Sequence, residues 1–90
     1  MKAAYPAVFT KLDDGYMVYI PDFDANTQGD SMTQAIEMAR DVIGLLGIDM
    51  EDERKCIPLP SDPETVTHEK GEIVSMVDVD FTKYRREHDH

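Results

Sequence analysis

Ninety residues with 41% apolar side chains describe one small folded domain, and 19 acidic against 9 basic groups give it a net charge of −10. That charge argues against direct nucleic-acid binding, because phosphate contacts need clustered Lys and Arg, and it points to a basic partner or to solubility alone. No apolar run approaches the roughly 18 residues of a membrane span, Met1 to Pro6 has no signal-like character, and the lone Cys56 cannot form an internal disulfide, so a cytoplasmic protein away from membranes is expected.

Tyr5 to Lys11 reads as a strand, with Tyr5, Ala7 and Phe9 on one face and Val8 and Thr10 on the other. Pro6 has no N–H to give and belongs near its start. Leu12-Asp13-Asp14-Gly15 predicts a tight turn, after which Tyr16 to Ile20 returns antiparallel, with Tyr16, Val18 and Ile20 alternating against Met17 and Tyr19. Pro21 ends that strand, and Asp22-Phe23-Asp24-Ala25 turns the chain into a short third strand around Asn26 to Gln28.

Ser31 is a helix N-cap with Gln34 at capping-box spacing, and Asp30 adds negative charge near the positive helix end. Met32, Ala35, Ile36, Ala39, Val42, Ile43 and Leu46 then recur at three- and four-residue intervals, with Thr33, Glu37, Arg40, Asp41 and Gly44 opposite. Gly47 is the expected stop, with Ile48 to Glu53 as a second short helical piece. Pro58-Leu59-Pro60-Ser61-Asp62-Pro63 excludes helix and reads as a loop packed along the domain, followed by a polar stretch from Glu64 to Gly71. Glu72 to Phe81 alternates as a fourth strand, with Ile73, Ser75, Val77 and Val79 on one face.

The order is ββ(β)αβ, an α+β chain. A helix joining the third strand to the fourth lets the fourth lie beside the first and parallel to it, in a four-stranded mixed sheet of order 3-2-1-4 with the main helix on one face. Residues 1–81 make the domain. Residues 82–90 are a charged tail, which leaves open a helical turn, a frayed end or a linker. Open sheet edges and a thin core tend to be completed by another chain, either a second copy or a partner's strand, so a homodimer or higher homo-oligomer is expected.

Taken in order, Tyr5–Phe9 (YPAVF), Gly15–Phe23 (GYMVYIPDF), Thr27–Ser31 with Ala35–Ala39 (TQGDS, AIEMA), Ile57–Ser61 (IPLPS) and Val74–Arg85 (VSMVDVDFTKYR) span most of the chain. In this combination the chain resembles the HicB-like antitoxins of type II toxin–antitoxin systems. The resemblance implies a partial ribonuclease-H-like fold without that fold's activity. It also implies a partner, a small basic HicA-like toxin that cleaves messenger RNA with a histidine and is silenced when covered. Two departures stand out. Many relatives continue Pro-Gly-Cys where this chain has Asp24-Ala25-Asn26, and many carry a DNA-binding module after the fourth strand, which is not expected within these residues.

Catalysis is weighed against that reading. A ribonuclease-H-type metal site needs an acid in the first strand, where this chain has none; Glu37, Asp78 and Asp80 alone do not complete the set, and no metal or cofactor is expected. His88-Asp89-His90 reads as a solvated tail rather than a metal site, His68 has no nucleophile near it in sequence, and Cys56 reads as a small buried apolar group. The candidate site is the elbow: Asp22, Phe23, Asp24 and Asp30. An aromatic anchor ringed by acids suits docking onto a basic toxin. The same residues also fit a turn, a core side chain and a helix end. Asp49, Glu51, Asp52 and Glu53 form a second acidic patch that reads as a solvated face.

Overall fold

The computed structural model describes residues 1–88. Four strands and two α-helices follow one another as β1 (Lys2–Leu12), β2 (Gly15–Ile20), β3 (Ala25–Gly29), α1 (Met32–Asp52), β4 (Ile73–Asp80) and α2 (Phe81–His88), with 3-10 turns at Pro21–Phe23 and Pro63–Thr65. The sheet order is β3-β2-β1-β4, as expected. Asp13 and Asp14 form a two-residue connection closed by the Leu12↔Gly15 pair, and a Cβ at Gly15 would collide with the carbonyl of Gly29 on β3.

The direction of β4 differs from expectation. It pairs antiparallel with β1, from Phe9↔Ile73 to Lys2↔Asp80, so the sheet is antiparallel throughout rather than mixed. The cause is the connector. α1, about 31 Å long at 1.5 Å per residue, carries the chain to the level where β1 begins, and Glu51 and Lys55 share a groove with Met1, Lys2 and Ala3. Residues 53–72 then climb back, with one 3-10 turn at Pro63–Thr65. Tyr5 Oη donates to the Pro58 carbonyl at 2.8 Å, Ser61 binds Asp22, and Thr10 Oγ1 donates to Glu72 at 2.5 Å, so β4 starts beside the far end of β1. A short connection would have given the parallel strand.

Pro6 sits inside β1 without loss. Arg40 Nε reaches the Asp78 carbonyl at 2.9 Å, which shows that even-numbered residues of β4 aim their backbone groups away from β1. Pro6 faces Met76, one of that set, and the β1–β2 ladder stops at Val8↔Tyr19, so neither neighbour lacks a bond from the missing N–H.

The core lies between the sheet and α1: Tyr5, Ala7 and Phe9 of β1, Val18 and Ile20 of β2, Val77 and Val79 of β4, and Ala35, Ala39 and Ile43 of α1. α1 does not stop at Gly47. It runs to Asp52 and ends in a Schellman closure, with Lys55 N–H on the Met50 carbonyl at 2.7 Å and Arg54 N–H on Glu51 at 3.0 Å. Arg54 holds the left-handed position, φ 61°, that glycine usually takes. Gly44 and Gly47 are buried seats for α2: a Cβ would overlap the ring of Tyr84 at the first and of Phe81 at the second. Segment 81–88 is thus a helix packed on α1, with Phe81 and Tyr84 buried. On the sheet's other face Pro6 and Val8 are buried, while Met17, Tyr19 and Met76 remain partly exposed.

Candidate interaction surface

The elbow residues divide into two groups. Pro21 fixes the backbone for a 3-10 turn over Pro21–Phe23, and Asp24 closes it in the left-handed conformation (φ 47°, ψ 50°), its N–H on the Pro21 carbonyl at 3.1 Å. An aspartate tolerates that conformation better than most residues. Its carboxylate accepts from Tyr19 Oη at 3.0 Å, and this bond holds the Tyr19 hydroxyl above its usual pKa.

Asp22 turns inward. It accepts from both the N–H and the hydroxyl of Ser61, tying the elbow to the connector across 39 positions of sequence. Phe23 is core, 9% exposed, with its ring edge-on to Tyr5 at 4.9 Å. Of the two readings left open for Phe23, docking anchor and core side chain, this burial fits the second. Tyr5 is itself fully buried, and burial raises its hydroxyl pKa.

Asp30 does not join them. It follows the other end of β3, at the level of Tyr16, in a groove with Asp14, Gly15 and Gln34. A strand of five residues at about 3.4 Å each separates the two ends. Asp30 belongs to the helix start: Ser31 Oγ accepts from Gln34 N–H at 3.1 Å, and Gln34 Oε1 accepts from Asp30 N–H at 2.6 Å, a capping box displaced by one residue. Exposed Asp24 and Asp30 therefore mark two separate acidic corners of the same edge.

The second acidic patch is partly neutralised, since Arg85 on α2 lies 3.4 Å from Glu51 and 3.0 Å from Asp52, and Lys55 lies 3.0 Å from Glu53. Cys56 is exposed, not buried, because it follows the helix closure at the mouth of the connector. Three residues later Leu59, held between two prolines, is 87% exposed.

The β4 carboxylates are occupied. Arg40 donates to Asp78 Oδ1 at 2.9 Å as well as to its carbonyl, and that contact holds the Asp78 carboxyl below its ordinary pKa. Asp80 accepts from Lys83 N–H at 3.2 Å, which lowers its pKa too. Among the described residues no three His, Cys, Asp or Glu side chains converge as a metal site. His68 Nδ1 lies 3.2 Å from the Val66 carbonyl, and His88 stacks on Tyr84; Asp89 and His90 fall outside the described residues. Arg40 was legible only as a polar helix residue, because its partner lies 38 positions away. No described helix is long and apolar enough to cross a membrane.

An antiparallel four-stranded sheet of order 3-2-1-4 backed by one long helix defines the class of domain. No protein-family model matches the sequence, and no curated protein matches it at a significant level. Solved structures do. The chain is similar to a chain of the toxin–antitoxin complex from Streptococcus pneumoniae, with a TM-score of 0.82 and 26% identity over 93% of this chain and 73% of that one. It is also similar to a chain of the HicA3 and HicB3 toxin–antitoxin complex, with a TM-score of 0.69 over 86% of this chain and 98% of that one. There the identity is 23%, so the likeness is one of fold.

Proposed function

We propose that this chain is an antitoxin: a cytoplasmic protein that binds a small basic HicA-type toxin, covers its RNA-binding and catalytic surface, and does no bond-making of its own. The observation that carries this reading is the structural likeness, over 93% of the chain, to a chain from a toxin–antitoxin complex. The net charge of −10 supports it, because an acidic protein steers onto a surface built to hold RNA and occupies the place of the polyanion. Asp24 and Asp30 supply orienting charge, while Asp22 and Phe23 hold the shape of the elbow.

The test is reconstitution. The product of a short neighbouring reading frame encoding a basic protein, purified alone, should cleave RNA, and equimolar addition of this chain should abolish cleavage. Failure of the two to associate at moderate salt, or magnesium-dependent cleavage by this chain alone that Asp78→Ala abolishes, would overturn the reading.

A further inference from the structure

β4 is an edge strand of eight residues, and one row of its backbone groups points outward: those of Val74, Met76, Asp78 and Asp80. The Phe81 N–H, which bonds inward to the Met1 carbonyl at 2.9 Å, fixes the same alternation from the odd-numbered side. Among the described residues, the side-chain bond made to this row is that of Arg40 at Asp78. Exposed edges with free N–H and C=O groups are templates for another strand, and natural proteins commonly blunt them with a charged side chain. Arg40 blunts one end only.

The other edge is a poorer template. In β3, Ala25, Thr27 and Gly29 face β2, leaving an outward row of Asn26 and Gln28 with no charge. The row on β4 is longer, and acids stand along it: Glu72 before it, and Asp78, its side chain 84% exposed, and Asp80 within it.

Resting on the antitoxin reading above, we propose that the outer edge of β4 receives a strand of the basic toxin by β-sheet addition, with a toxin Lys or Arg replacing Arg40 at Asp78. Charge selects this occupant over a second copy. Self-pairing centred on Met76 would set Asp80 opposite Glu72, and self-pairing centred on Asp78 would set that carboxylate against itself. Like charges directly opposed are destabilising, and each copy adds −10. A cationic strand meets the same positions with opposite sign. Main-chain bonds at Val74 and Met76 would supply affinity, and the charged end would supply register.

Two measurements test the edge. Met76→Pro removes an N–H that faces outward, opposite Pro6, so the β1 ladder is untouched. Its thermal unfolding should stay close to wild type while toxin affinity, measured by calorimetry at fixed salt, falls at least about tenfold. Amide exchange on the wild-type chain gives an answer independent of that variant. The Val74, Met76 and Asp78 amides should exchange quickly in the free chain and slow on addition of the purified neighbouring toxin, while Val77, which faces β1, is protected in both. A complex that forms without slowing those three amides would overturn the edge proposal and leave the antitoxin reading standing. Concentration-dependent protection of Met76 in the free chain would overturn it in favour of a second copy. Absence of any complex would overturn both.

Discussion

Asp22 carries its charge into the fold, where it holds Ser61 by two hydrogen bonds. Asp22→Ala leaves a half-buried N–H without its acceptor and frees the connector, and should cost about 1–3 kcal/mol in urea unfolding. Gly44 and Gly47 invert the usual rule for helical glycine. Exchange for alanine ordinarily gains about 1 kcal/mol, whereas here the added methyl meets the Tyr84 or Phe81 ring, so either variant should lose ~1–3 kcal/mol by the same measurement. Arg54→Gly should do the opposite and stabilise by up to about 1 kcal/mol, because the left-handed position disfavours a side chain. Asp78 gives a pH signature. The Arg40 contact holds its native pKa below the ordinary aspartate value, so the stability it adds is present above that ordinary value and lost as pH falls through the lowered native pKa. The unfolding midpoint of the wild type should therefore exceed that of Asp78→Asn at pH 6 and converge on it in acid.

At the scale of elements, what could be read from the chain was what depends on neighbours in sequence. The β1–β2 hairpin and the Ser31 cap follow from turn residues and capping chemistry and formed as expected, and the period of two in β4 holds at Val77 and Val79, which are buried, while Ile73 and Ser75 stay exposed. The end of α1 did not, because Arg54 closes it without the glycine that signals such an end, while Gly47 serves a contact with α2. The direction of β4 was unreadable for a similar reason. It depends on a connector anchored by Tyr5, Asp22 and Thr10, side chains 39 to 62 positions from their partners, and no local pattern announces such bonds. The elbow was legible as an acidic turn, but which of its acids face solvent was decided by Ser61 and Tyr19.

For the whole molecule, the acidic surface makes association with a toxin an electrostatic event. Raising salt from about 50 to about 300 mM should weaken binding by roughly tenfold, chiefly through a slower on-rate, as surface fields are screened within about 10 Å at 0.1 M. Stopped-flow mixing at several ionic strengths would show it, and a salt-independent rate would argue for an apolar interface. One feature of the sheet also bears on how the protein is made. β1 pairs on one side with β2, which leaves the ribosome just behind it, and on the other with β4, whose Ile73 to Asp80 arrive far later. Through most of translation the hairpin and α1 can assemble while the strand carrying Tyr5, Ala7 and Phe9 keeps one flank bare. A nascent chain passes through a window in which it is adhesive and easily degraded, and the supply of working molecules depends on how quickly that window closes.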